Sequence, residues 1–260
     1  MEQAKHYVCQ SCSTHVPRGH KFCGKCGTPV PADVLAAVTR YFGDMQNPAK
    51  AKLVVIRAEG MEGVSFYLKA EQHILGRKGQ IPFDDVLVSP RHANFFYREG
   101  KLFVRDEGST NGVYVRVRGT VDVAGGDYFL AGDQVFRLDP SPATPESHDG
   151  EGTLFYTSPK HPSHFRVTQV LQGGGLGMVA CARGPSLSIG REEADLNFHG
   201  DVFMSSQHCR IDETHTGKYS LSDLDSRNGT YVRIKGEREL AHGDYVFVGK
   251  RLLRVEMNSN

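Results

Sequence analysis

The 260-residue chain lacks any apolar run long enough to span a bilayer, and no continuous hydrophobic stretch stands near its start. Membrane anchoring and secretion are therefore not expected, and the cytoplasm is the expected compartment. Charge of one sign is also lacking. With 31 Lys and Arg against 30 Asp and Glu, the net charge is +1, so no global field draws the chain to nucleic acid or to a membrane surface. Helical periodicity is nearly absent after residue 50. No nucleophile, general base and open metal position can be assembled from the sequence, which argues against an enzyme. Of six cysteines, four stand in a metal-type pattern, and a reducing interior suits them better than disulfides.

What the chain does have is a duplication. Gly76-Arg77, Ser89-Pro90-Arg91-His92 and Ser109-Thr110-Asn111-Gly112 return in the same order as Gly190-Arg191, Ser205-Ser206-Gln207-His208 and Ser226-Arg227-Asn228-Gly229. The offset is 114 residues at the Arg, 116 at the Ser and His and 117 at the Asn-Gly, a drift that short loop insertions explain. GVYVRVRG at 112–119 likewise matches GTYVRIKG at 229–236. A period near 115 residues suits a whole domain in tandem. Short segments rich in β-branched and aromatic residues, bounded by Gly, Asp and Asn, predict antiparallel β-sandwiches over 50–139 and 163–260. Residues 140–162, rich in Pro, Ser, Thr and Gly, read as a flexible linker.

The first thirty residues form a separate module. Cys9-x-x-Cys12 and Cys23-x-x-Cys26 are two knuckles whose four sulfurs can close a tetrahedral zinc site, so residues 1–30 read as a zinc ribbon. A closed site has no open position for substrate, which makes the zinc structural. Lys5, Arg18, Lys21 and Lys25 against Glu2, four thiolates and one zinc ion leave about one positive charge, too little for strong phosphate-backbone attraction. Docking is the expected role. Between ribbon and first repeat, residues 31–49 read as a helical spacer, with Val34, Leu35, Val38 and Phe42 at helical spacing. Cys181 and Cys209 lie in strand-like stretches and are expected to be small buried hydrophobes.

The ordered GR, SxxH and NG motifs resemble those of forkhead-associated (FHA) domains, over about residues 50–140 and 163–257. The resemblance implies an all-β architecture of two tandem eleven-stranded FHA-type sandwiches, and recognition of phosphothreonine. Such a reader must converge several donors on a doubly charged group. By resemblance, Arg77 and Arg191 are the principal phosphate ligands, Ser89 and Ser205 add a hydroxyl, Thr110 or Arg227 approaches from the neighbouring loop, and Asn111 and Asn228 hold the peptide backbone. His92 and His208 are implied to brace the Ser loop. Gly76, Gly190, Gly112 and Gly229 are expected to serve turn geometry, and Asp84-Asp85 and Asp106-Glu107 to be solvated turns.

These features lead to a non-enzymatic adaptor for threonine-phosphorylated proteins, a Ser/Thr kinase or its substrate among them. A scaffold for unphosphorylated partners and a ribbon-anchored nucleic-acid regulator are the alternatives. Thr144 and Thr157, each near a Pro, suggest self-association through a phosphorylated linker.

Overall fold

The computed structural model describes residues 7–16, 20–31, 50–57, 61–141, 148–156 and 161–257. All regular structure among the described residues is β, and the expected spacer helix lies outside them apart from Pro31. In the ribbon, β1 (Tyr7–Val8) pairs with β2 (His15–Val16) across the first knuckle, and an isolated bridge between Phe22 and Pro29 spans the second.

The first repeat supplies β3 (Ala51–Ile56), β4 (Glu62–Leu68), β5 (Gln72–Gly76), β6 (Ile81–Pro82), β7 (Ala93–Arg98), β8 (Lys101–Asp106), β9 (Val113–Arg116), β10 (Thr120–Val123), β11 (Tyr128–Ala131) and β12 (Gln134–Pro140). The second supplies β13 (Phe165–Val170), β14 (Leu176–Cys181), β15 (Ser186–Gly190), β16 (Leu196–Asn197), β17 (Cys209–His215), β18 (Lys218–Asp223), β19 (Thr230–Arg233), β20 (Glu237–Leu240), β21 (Tyr245–Val248) and β22 (Arg251–Met257). Each repeat thus contributes ten strands among the described residues, against the eleven implied by resemblance. Pairing is antiparallel except for the short β5–β6 and β15–β16 pairs, which are parallel.

The repeats exchange their last three strands. β3 pairs with β22, and β8 with β20, so residues 237–257 of the second repeat complete the first sandwich. In return β13 pairs with β12, and β18 with β10. One ten-stranded sheet, ordered β14-β13-β12-β11-β19-β9-β21-β22-β3-β4, runs through both sandwiches, with β9 against β19 at its centre. Each sandwich is closed by its own five-stranded sheet.

The cores follow the exchange. Leu53, Leu75, Phe95 and Val104 pack with Leu240, Val246, Val248, Leu253 and Val255 of the other repeat. Val167, Ile189, Ile211 and Leu221 pack with Val123, Phe129, Phe136 and Leu138. Burying an aliphatic or aromatic side chain contributes about 1.5–3 kcal/mol, so each borrowed set contributes on the order of 10 kcal/mol, as much as the net stability of a domain. The contiguous segments 50–139 and 163–260 therefore each supply most of one core without closing it.

The ends of the linker meet. Pro140 opposes Phe165 in the β12–β13 pair, and Ser141 Oγ lies 2.9 Å from Ser163 Oγ. Exchange thus makes the strands flanking the linker direct neighbours. At the junction, Tyr114, Leu130 and Tyr231 are buried in a further cluster on the sheet face opposite the two cores.

Candidate functional site

The loop cluster of the first repeat starts where β5 ends. The Arg77 N–H donates to Ser89 O at 3.1 Å and the Lys78 N–H to Pro90 O at 2.9 Å, drawing the serine loop across Gly76. A Cβ on Gly76 would sit 2.4 Å from Pro90 O, and one on Gly190 only 1.9 Å from Ser206 O. These two glycines serve close backbone approach. The turn role expected for all four holds only for Gly112 and Gly229, whose φ angles are 81° and 83°.

Buried His92 joins the serine loop to the Asn-Gly turn. Its Nδ1 accepts the Ser89 N–H at 2.9 Å, which leaves Nε2–H to donate to Gly112 O, also at 2.9 Å. His208 makes the same pair of bonds to Ser205 N–H at 3.0 Å and Gly229 O at 3.1 Å. Burial holds both imidazoles below the usual histidine range, so they are neutral braces, as the resemblance implied.

The candidate ligands gather around these braces. Ser89 Oγ accepts the Thr110 N–H at 3.2 Å, and Ser205 Oγ accepts the Arg227 N–H at 3.1 Å. Each hydroxyl keeps its own proton to donate outward. Thr110 and Arg227 thus reach the serine through the backbone, with both side chains exposed. Asn111 Nδ2 donates to Leu87 O at 2.8 Å and Asn228 Nδ2 to Phe203 O at 2.7 Å, tying each turn to the residues before the serine while Oδ1 has no partner among the described residues. Arg77 is exposed and donates Nε to Val88 O at 2.8 Å, which orients the guanidinium while its two terminal nitrogens carry no bond among the described residues. Arg191 is half-buried, and its side chain has no hydrogen bond or ion pair among the described residues. Each cluster therefore presents an arginine, a hydroxyl and an asparagine at one rim, a set of donors suited to a small anion.

Several supporting residues escaped sequence reasoning. Asp106 accepts the Ser109 N–H at 2.7 Å and its hydroxyl at 3.1 Å, and Ser109 Oγ accepts the Gly112 N–H at 2.9 Å. Asp223 and Ser226 repeat this beneath Gly229. Asp106 is therefore the base of the Asn-Gly turn and no solvated acid; the recurrence of Asp-x-x-Ser at 106–109 and 223–226 was the available signal. Buried Asp201 accepts N–H groups of Phe203 at 2.9 Å and, from the exchanged β11–β12 turn, Asp133 at 2.8 Å. Asp85 takes the place of Asp201 in the first repeat, accepting the Leu87 N–H at 2.9 Å.

In the ribbon, all four Sγ atoms lie within 4.8 Å of one another, with Cys9–Cys26 and Cys12–Cys23 both at 3.6 Å. A tetrahedron with metal–sulfur bonds near 2.3 Å has edges of about 3.8 Å, so the four residues fit one ion. The knuckles are built alike: Cys9 N–H donates to Thr14 O at 2.9 Å and Cys23 N–H to Thr28 O at 2.8 Å. The Thr28 hydroxyl, 3.1 Å from Cys26 Sγ, holds that thiol down to about 6. Cys209 is buried as expected, but Cys181 is exposed, because β14 is the edge of the ten-stranded sheet.

The FHA domain family matches residues 73–132 and 187–249. This chain contains two FHA domains. Domains of this kind bind phosphothreonine peptides. The FHA-containing chain is similar to the oxoglutarate dehydrogenase inhibitor of Corynebacterium diphtheriae, 38% identical over 81 residues that make up 30% of this chain and 57% of that protein. It is also similar to the protein of the same name from Corynebacterium glutamicum, 41% identical over 70 residues, 26% of this chain and 49% of the other. The chain thus spans about half the length of the curated relatives it matches. Among solved structures, one described as a structural and functional analysis of phosphothreonine-dependent FHA domain interactions aligns at a TM-score of 0.31 and 12% identity, over 81% of this chain and 98% of that one. Among the described residues, no helix is long and apolar enough to cross a membrane.

Proposed function

We propose that the FHA tandem is a non-enzymatic adaptor that binds threonine-phosphorylated proteins through two pockets, downstream of a Ser/Thr kinase in the cytoplasm. The observation that carries this reading is the duplicated rim, where an arginine without an ion pair among the described residues stands beside a serine hydroxyl already oriented by a backbone N–H. In this reading Arg77 and Arg191 bind the phosphate, Ser89 and Ser205 donate their hydroxyl protons to it, and the Oδ1 atoms of Asn111 and Asn228 receive peptide N–H groups. Arg227 adds a cation to the second rim at the place where the first has Thr110. The ribbon holds a structural zinc ion through Cys9, Cys12, Cys23 and Cys26 and serves assembly. Phosphorylated Thr144 or Thr157 would permit self-association. The name of the curated relatives describes a protein acting on an enzyme by inhibition, a mode compatible with an adaptor.

The test is calorimetry of the full chain with an equimolar pool of phosphothreonine peptides. Binding that disappears after phosphatase treatment, and that falls at least about tenfold in Arg77→Ala, Arg191→Ala together, is expected, since a charge-assisted bond contributes about 1.5–3 kcal/mol. Equal binding of the dephosphorylated pool would overturn the reading.

A further inference from the structure

Arg116 and Arg233 take no part in the reading above, yet each lies against the recognition turn of the repeat to which it does not belong. Arg233, at the end of β19, covers Gly112 so closely that a Cβ there would stand 2.2 Å from its Nε and 2.7 Å from its Cζ. Arg116, at the end of β9, covers Gly229 in the same way, at 2.3 and 2.8 Å. Each guanidinium also lies over an aromatic ring of an exchanged strand. Arg233 Cζ is 5.6 Å from the centroid of Tyr128, and Arg116 Cζ is 5.4 Å from that of Tyr245. Neither arginine has an ion pair among the described residues, so no carboxylate holds it elsewhere. The neighbouring cations do pair across the repeats, Arg118 with Asp244 at 2.6 Å and Lys235 with Asp127 at 2.7 Å, which fixes the strand ends on which the two arginines stand.

The covered glycines are the pivots of the sites. Gly112 follows Asn111, donates its N–H to Ser109 and accepts the His92 brace; Gly229 holds the same place after Asn228. A glycine at positive φ has a wide conformational range, and a planar guanidinium pressed on its open face restricts that range. Because β9 and β19 are adjacent and antiparallel, Tyr114 opposing Arg233 and Tyr231 opposing Arg116, each arginine is carried across the junction to the opposite turn.

We propose that Arg233 is a positioning residue for the first phosphopeptide pocket and Arg116 for the second, so that each repeat sets the recognition turn of its neighbour. This rests on the phosphopeptide reading of the two rims. Beside Arg233 the junction leaves a cleft of about 490 Å³ lined by Arg233, Ser109, Tyr128 and Lys235 among others.

The experiment uses the full chain in two backgrounds. Arg191→Ala leaves the first pocket to report, and Arg77→Ala leaves the second, with the phosphothreonine peptide pool as probe. Arg233→Gln is expected to weaken binding about tenfold in the first background and less than about twofold in the other, with Arg116→Gln giving the opposite pattern. A general loss of stability would weaken both pockets alike, and an effect confined to the arginine's own repeat would reverse the pattern; either result overturns the proposal. If no background binds any phosphopeptide, the proposed function fails by itself. Nitrogen-15 spectra still decide the positioning role: Arg233→Gln should shift the Asn111 side-chain amide and Gly112 more than Asn228 and Gly229, and equal or inverted shifts would sink it.

Discussion

Gly190→Ala should close the second pocket without touching any proposed ligand. The added Cβ would lie 1.9 Å from Ser206 O and 2.8 Å from its carbonyl carbon, both backbone atoms that cannot rotate away. Restoring ordinary contact requires the Ser205-Ser206 segment to retreat by about 1.5 Å. That segment accepts the Arg191 N–H at 2.8 Å and the Glu192 N–H at an already long 3.2 Å. Losing both bonds costs about 1 kcal/mol each, and overpacking adds about 1–3, for a total of about 3–5 kcal/mol. For a molecule of this size the melting temperature should fall by about 6–20 °C. Gly200→Ala is the control. It sits next to Asp201 on the same loop, at an ordinary φ and with nothing within 4 Å of its Cβ position, so it should be neutral or slightly stabilising. Scanning calorimetry and peptide titration in the Arg77→Ala background read both effects. A Gly190→Ala protein with unchanged melting and unchanged affinity would refute the claim that the serine loop must pass over this glycine.

Further outcomes are expected at the ribbon, the braces and the second rim. With zinc bound, a thiol reagent should find only exposed Cys181 quickly; a strong chelator should release the four ribbon thiols as well, while buried Cys209 stays silent, and a thiol count that ignores chelation would remove the metal. His73, His92 and His208 are held by burial below the ordinary histidine value, so the unfolded chain binds more protons than the folded one as pH falls from about 6.5. Their stabilisation is complete above that pH and is lost on acidification through the folded values. Urea midpoints should therefore drop between about pH 6.5 and 5, and a rising midpoint would contradict the neutral-brace assignment. Arg227→Thr should make peptide binding at the second pocket weaker and less dependent on salt, checked by titration across ionic strengths.

Much of the site was legible because its chemistry sits in short ordered motifs. The duplicated Gly-Arg, Ser-x-x-His and Asn-Gly locate two loop clusters, and the structure brings Arg77, Ser89, Thr110 and Asn111 together as it does Arg191, Ser205, Arg227 and Asn228. The cysteine spacing located the four-sulfur cluster equally well. What stayed hidden depended on contacts distant in sequence. Nothing in Asp106 announces that both its oxygens hold Ser109, and no local pattern shows that Gly76 and Gly190 are crossed by another loop.

The exchange itself was hidden by the duplication, since β12 and β22 satisfy the same edge equally well on paper. One signal was nevertheless present. Val113-Tyr114-Val115 and Tyr231-Val232 are apolar on both faces, whereas a strand with one wet face alternates. The structure buries Val113 and Val115 in the first core and Tyr114 and Tyr231 on the opposite face, where burial pushes both hydroxyls up to about 12. Two strands wetted on neither face must be shared between the sandwiches. A chain cut at the linker, such as residues 50–141, then lacks Leu240, Val246, Val248, Leu253 and Val255 in its core and leaves β10 without β18, β11 without β19 and β12 without β13. Two such chains can repair each other by the same reciprocal exchange, so sedimentation should find a dimer whose strength depends on concentration. A stable monomer of this fragment, with Phe129 and Phe136 protected inside its own sandwich, would show that the exchange is not what holds the tandem together.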